Sequence, residues 1–507
     1  MITSELKSRA RRILRLLRCN IESKRRFVFV VCVVATTVVF GSEARGNASI
    51  SFRKTKVVFF FDTEDFIQPR SCDAIRDMAN VLASEGVKGH FAFVGYLGKK
   101  LVDWQRFDVI EALKKHHIGT QTLYHSLHPN ITEYTDIEDY DAAYLRAAED
   151  ESKSIGMLMA ATGAERMWCS VLPGNGNTIV ALYLYANLGI PFFGGGTGIY
   201  EDVTKCGDIW YCNQRHLTYA YSLHLESFLP GRNAGDIDAK LDALSKQQVV
   251  TLYMHPHMAV CRQHWDYVFR KGNHHPFGEW PYAEARDPAD TAIYYERIKA
   301  FLRKLKADSR FEITDCPALD AARNPRRPIT RADIPVIRKS LLRSFGPVRA
   351  PGEWSIADCF LATIGMLCGE SEHMPGKNYG FLYAPEGVKE PVSVTTADLV
   401  SAAKCMDVSR FLPISIDVGG TKIGPADFMF AALEAIETGA EVIKVLPRDQ
   451  IGDIAHYLPK LATVNFKDTW IYTPEYQDEW TSNRLRWQFW TFRYERPSDH
   501  ADGVQVK

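Results

Sequence analysis

Short apolar runs alternate with amphipathic stretches along the chain from Lys56 onward. Val57 to Phe61 is apolar at every position, as in a strand buried on both faces, and it runs into the acids Asp62, Glu64 and Asp65. Ile75, Met78, Ala79 and Leu82 recur at the spacing of one helical face and predict a helix over 71–84. The same alternation predicts strands at 90–94, 118–123, 167–171 and 249–254, and helices at 106–115, 138–156, 178–188 and 291–307. Such a succession is that of βα units around a parallel sheet, as an open sheet or a barrel. In either form a site lies at the carboxyl ends of the strands. Asp62 and Asp65 follow the first strand, His125 and His128 the third, and His255 and His257 the late one, so six polar residues are expected at one rim.

That convergence changes the reading from fold to chemistry. A divalent metal takes carboxylate and neutral imidazole ligands and keeps a position open for water. A second carboxylate then accepts the water's proton, and an acid protonates the leaving group. Singly these residues say little, because an Asp after a strand is commonly a turn or helix cap. Their order carries the signal: acids, then a histidine pair, then a late His-Pro.

In that order the residues resemble the polysaccharide deacetylase (NodB-homology) family over roughly residues 55 to 325. Phe61-Asp62-Thr63-Glu64-Asp65-Phe66 looks like its first motif, with the two acids spaced apart. Ile118 to His125 looks like the second, with Gln121 where the first histidine usually stands and His125 as the other. Leu172-Pro173-Gly174 resembles the third motif and Tyr253-Met254-His255-Pro256 the late one. The resemblance implies a distorted (β/α) barrel of the NodB-homology type and hydrolysis of N- or O-acetyl groups on sugars. Some relatives cleave amide bonds of cyclic ureides instead. Carried over by position, Asp62 is the general base, His255 the acid, and Asp65 and His125 ligands of a divalent metal, commonly zinc. Glu64 supports one of the two acids or replaces either. His128 is the residue that would compensate for Gln121, and Val171 stands where the family has an orienting arginine. Gln121, Pro173 and Gly174 are expected to contact substrate. A glycan-binding protein without chemistry, and a C–N hydrolase acting on a small non-sugar amide, are the rival readings.

The remaining features add the surroundings. Residues 1–48 carry a long basic stretch, an apolar run from Phe27 to Phe40, and small residues in the spacing of a cleavage site. The run is shorter than the ~20 residues of a spanning helix, so a signal peptide and export to the periplasm, envelope or exterior are expected. An uncleaved anchor, and with it a membrane contact, is the other reading. Lys+Arg and Asp+Glu balance at 61 each, without the basic excess of a nucleic-acid partner. The segment 258–290 reads as a loop whose Trp265, Trp280 and Tyr282 either stack on sugar rings or pack among themselves. Past a polar, proline-bearing boundary near 325, helices are expected at 330–345, 354–367, 395–406, 424–437 and 450–457, making 330–507 a small, mainly helical domain. Its helix starts at Ser355 and Gly424 look like those of cell-wall-binding repeats, implying wall or glycan contact. No internal repeat stands out otherwise. Asp417 to Lys422 looks like the phosphate-binding turn of sugar kinases and is read as a structural turn. Cys206 with Cys212 and Cys359 with Cys368 are candidate disulfides, with buried free thiols as the alternative. His116 and His117 are expected at the surface.

Overall fold

Nine-residue strand β1, Thr55–Thr63, is the axis of the architecture. A computed structural model describes residues 54–195, 208–267, 278–323, 325–467, 469 and 471–495, so residues 1–48, where a signal peptide or anchor is expected, lie outside the described residues. Parallel to β1 run β2 (Gly89–Phe93) on one edge and β8 (Val249–Met254) on the other. The sheet continues from β2 through β3 (His117–Thr120), β4 (Cys169–Ser170), β5 (Phe192–Gly195) and β7 (Gln214–Thr218), all parallel. Tyr219, just past β7, then pairs with Thr251 of β8. This bridge joins the two ends of the parallel path, and the sheet curls into a distorted barrel. Short β9 (Phe311–Ile313) takes the start of the β1 edge that β2 occupies further along.

The two faces of β1 explain the two apolar clusters. Val58 and Phe60 point inward with Ala92, Cys169, Val171, Leu217 and Tyr219, while Val57, Phe59 and Phe61 pack on the surrounding helices. The barrel is filled with side chains to the point that Gly194 has no room for more. A Cβ there would lie 2.6 Å from the Phe60 ring. This close approach accounts for a glycine at position 194 of β5.

Helix positions follow the apolar periodicity, with 71–84, 179–187 and 288–307 close to expectation. The strands at β5, β6 (Asp208–Tyr211) and β7 were not foreseen. They are four or five residues long, and β6 and β7 turn through Cys212 and Asn213, both at positive φ, a hairpin turn built without glycine. His116 is not at the surface, and His117 is half-buried. His116 is 8% exposed and its ring bridges the Gly89 N–H and the Ala79 carbonyl; His117 pairs with Asp315 at 3.0 Å. Cys212 and Cys359 are buried free thiols and Cys368 an exposed one, so the Cys359–Cys368 bridge is absent; Cys206 lies outside the described residues. No described helix is long and apolar enough to cross a membrane.

Helix Tyr140–Thr162 carries a carboxyl on its inner face. Glu151 is 1% exposed and accepts the Tyr185 hydroxyl at 2.7 Å. Burial pushes it up to about 7, against the pull of Tyr185. A folded-state value above the unfolded one means that stability is full below pH 4.5 and falls as pH rises toward 7. Glu151→Gln keeps an acceptor for Tyr185 without the titration. The variant is expected to gain roughly 3 kcal/mol over the wild type at pH 8 relative to pH 4. Urea unfolding at the two pH values checks this, and equal gains at both would remove burial as the cause.

After residue 325 the chain repeats itself in structure. Ile329–Thr330, helix Ile334–Arg343, the Val348–Trp354 bridge, helix Ile356–Leu367 and Glu372–His373 form one unit, closed by pairing of its first and last strands. Val392–Thr395, helix Thr396–Cys405, hairpin Ile416–Ile423, helix Pro425–Thr438 and Val442–Val445 form the second, closed the same way. In the sequence the duplication shows only at the likeness of the helix starts at Ser355 and Gly424, because what recurs is mainly a cap rather than a long residue string. Thr330, Ser355, Thr395 and Gly424 each stand three residues before an Asp at a helix start. The Asp417–Lys422 segment is the hairpin turn of the second unit, with Gly419 and Gly420 at positive φ and the Gly420 N–H on Asp417. All described residues from 54 belong to one compact unit. Strand Arg493–Glu495 adds antiparallel to β6, and Arg493 pairs with buried Asp358 of the first repeat at 3.5 Å.

Candidate metal centre at the strand ends

Period-two alternation carries Asp62 inward at the top of β1, after Val58 and Phe60. Its Oδ1 accepts the Tyr219 hydroxyl at 2.7 Å, and its Oδ2 lies 3.8 Å from His255 Nε2. Glu64, two residues on, reaches the same cavity of about 170 Å3, lined also by Gln121, His125, Val171, Leu172, Gly174, His255, His264 and Asp266. Four separate strand ends thus meet there, as the barrel predicts.

Glu64 is the hub. Its Oε1 accepts the Gln121 amide at 2.8 Å and its Oε2 the Trp265 indole N–H at 2.8 Å. His125 Nε2 is 3.3 Å and His255 Nε2 3.6 Å from Oε1. His255 Nδ1 in turn meets Glu226 Oε1 at 2.8 Å, and Glu226 is held by Arg232 at 2.8 Å. Burial works against ionisation of these carboxyls. It pushes Asp62 up to about 6, against the pull of His255. At Glu64 burial is outweighed by His125 and His255, which hold the carboxyl well below its ordinary value. His255 is pulled the other way. Burial disfavours its charge, but Glu64, Glu226 and Asp62 raise it to about 10. His257 and His264 are pushed down by burial, helped by the neighbouring His255, His257 to about 3.

The backbone around the histidine motif is strained. Thr122 and His125 have φ of 60° and 51°, a left-handed conformation that costs a β-branched residue most. The Thr122 hydroxyl and carbonyl fix this turn by accepting the N–H groups of His125 and Gly95. Gly174 opposite also has positive φ, 57°, and a Cβ there would meet Ile471 at 2.8 Å.

The structure therefore brings together Asp62, Gln121, His125, Gly174 and His255, and does not bring Asp65 or His128 to them. Asp65 closes its own turn: Oδ1 accepts the N–H groups of Ile67 and Gln68, and Oδ2 the Gln68 amide and the Ser71 hydroxyl. His128 turns away to Glu133 at 2.7 Å and supplies no replacement for a histidine at 121. Pro173 opens the short turn Pro173–Asn175 beside the cavity. Trp265 is 1% exposed and stacks on Trp280 at 5.2 Å under Glu64, so it is packed rather than a sugar platform. His264, Asp266, Glu226 and Tyr219 belong to no motif, and barrel closure and the segment after β8 deliver them. Glu64 had a signal, since its parity with Val58, Phe60 and Asp62 puts it on the inward face and Asp65 on the other.

Neither a family model nor a curated protein matches the sequence. Among solved structures the chain is similar to a putative polysaccharide deacetylase from Mycobacterium smegmatis, at 12% identity and a TM-score of 0.36, over 55% of this chain and 93% of that one. It is similar to a CE4 family pseudoenzyme from Bacillus anthracis, at 12% identity and a TM-score of 0.30, over 53% of this chain and 66% of that one. A third is PuuE allantoinase, at 12% identity and a TM-score of 0.33, over 56% of this chain and 95% of that one.

Proposed function

We propose that this chain is an exported, metal-dependent hydrolase that removes an acetyl group, N- or O-linked, from an envelope or extracellular polysaccharide. The observation that carries the reading is the convergence of Asp62, Glu64, His125 and His255 on one cavity at the strand ends. A divalent ion, zinc in the first place, fits the donor set. Asp62, Glu64 and Asp266 line the cavity with imidazoles as the accompanying side chains, and among the described residues no Lys or Arg lines it. Glu64, with imidazoles of this cavity, would hold the ion. When bound, the ion would polarise the acyl carbonyl and activate a water.

The chain's own groups divide the proton work. Asp62, held at one oxygen by Tyr219, has the other free to take a proton in the cavity. Tyr219 fills the orienting role for which Val171 offers nothing. The leaving group's proton comes from an imidazolium beside the cavity. Export follows from the basic and apolar N-terminal pattern, and the duplicated module after residue 325 is the part suited to wall or glycan contact.

A second reading has one observation in its favour. At about 170 Å3, with His264 and Asp266 in its wall, the cavity suits the amide of a small non-sugar compound as well as the acetyl end of a glycan. Incubating the metal-loaded full chain with acetylated oligosaccharides, and separately with small amides and ureides, tests both. Acetate release is the expected result, and cleavage of small amides alone would replace the glycan. No turnover of either class would sink the hydrolase and leave a glycan-binding protein.

A further inference from the structure

We infer that the metal of this site is held by Glu64, His255 and His264, and that His125 is left free to protonate the leaving group. This assignment rests on the hydrolase reading and reverses the roles that the motif order suggests for His125 and His255.

Ligand geometry carries the argument. Among the described residues, two sets of three ligand atoms lie within 4.8 Å of one another: Glu64 with His255 and His264, and His224 with Glu226 and His255. His125 belongs to neither. The second set is already engaged, because Glu226 holds His255 Nδ1 at 2.8 Å with one oxygen and Arg232 with the other. That contact fixes the tautomer and aims Nε2 toward Glu64, the arrangement by which a carboxylate orients a metal-bound imidazole. Nε2 stands 3.6 Å from Glu64 Oε1, too far for a hydrogen bond. Two ligands about 2.0–2.1 Å from one tetrahedral ion are themselves about 3.4 Å apart.

His264 completes the set from the segment after β8. Its ring packs edge-on against His255, with centroids 4.6 Å apart, and against His257 at 5.2 Å. His257 is 2% exposed, and neither of its ring nitrogens has a hydrogen-bond partner. A buried imidazole without protein partners, beside two ligand imidazoles, leaves a further nitrogen open to a group bound there. The motif pair offers less. Gln121 gives its amide N–H to Glu64, and His125, 3.3 Å from Glu64 Oε1, has no third ligand atom within the same reach among the described residues.

In the reaction that follows, Asp62 receives one proton of the water whose oxygen bonds to the acyl carbon. His125 gives its proton to the nitrogen or oxygen that departs as the C–N or C–O bond breaks. Acetic acid, which loses its remaining proton to solvent, and the free amine or hydroxyl result, and solvent returns the proton from Asp62 to His125.

Zinc titration of the full chain, followed by metal content after dialysis, tests the ligands without any substrate. The wild type is expected to keep about one zinc per chain. His255→Ala and His264→Ala are each expected to bind at least 100-fold more weakly, and Glu226→Gln 10- to 100-fold. His125→Ala is expected to keep the ion and lose turnover. Circular dichroism shows whether each variant is folded, and His264→Asn replaces His264→Ala if the alanine is not. Zinc retained in folded His264 variants but lost in His125→Ala would overturn the assignment and leave the hydrolase standing. No zinc on the wild type would overturn both.

Discussion

Asp62→Asn is expected to lower acetyl hydrolysis by about 1,000-fold while leaving zinc content and thermal unfolding unchanged. The change is nearly isosteric, and the asparagine oxygen still accepts the Tyr219 hydroxyl that Asp62 Oδ1 accepts now. What disappears is the basic oxygen facing His255. Base catalysis contributes about 100- to 10,000-fold in enzymes generally, so the expected loss corresponds to about 4 kcal/mol in the barrier. Initial rates of acetate release at saturating substrate, with metal content measured on the same samples, give the answer. A tenfold loss or less would take the base role from Asp62. A loss of zinc in parallel would make Asp62 a ligand instead.

Asp427→Ala is expected to cost about 3–5 kcal/mol of stability, the largest effect expected of a single change outside the site. Asp427 is wholly buried. Its Oδ2 accepts the N–H groups of Gly424 and Val388, and its Oδ1 the Gln450 amide, with Arg448 at 3.6 Å. Removing the carboxylate leaves three donors without an acceptor at the start of helix Pro425–Thr438. The equivalent Asp398→Ala in the same duplication should cost only about 1 kcal/mol. Its carboxylate meets the Thr395 hydroxyl near the surface, where water replaces the lost bond. Urea unfolding of the two variants side by side decides the matter. Equal losses would mean that burial is not what separates the two caps.

The duplication shows how much of the fold a sequence exposes. Four helix starts in the C-terminal region lie close to expectation, because capping residues and apolar spacing act within one turn of chain. Their grouping into two strand-bracketed units was not legible. It depends on pairings such as Val392 with Val445, made across more than fifty residues. The strands β5, β6 and β7 were missed for a similar reason: they are short, and barrel closure rather than local pattern makes them strands.

The site divides along the same line. The chain by itself determined that acids and imidazoles end successive strands, because an apolar run followed by polar residues is a strand end whatever surrounds it. It thereby placed Asp62, His125 and His255 at one rim. Only the tertiary structure decided which neighbours face inward. Glu64 enters the cavity while Asp65 satisfies its own turn, and His128 swings to Glu133. Only closure of the barrel brings Tyr219 to Asp62, Glu226 to His255 and His264 to Glu64, over separations of 157 residues, 29 residues and 200 residues respectively. The physical reason is range. Hydrophobic period and capping are read out over a few residues, whereas a buried charge takes its partners from whatever the packed interior sets within a few ångströms of it.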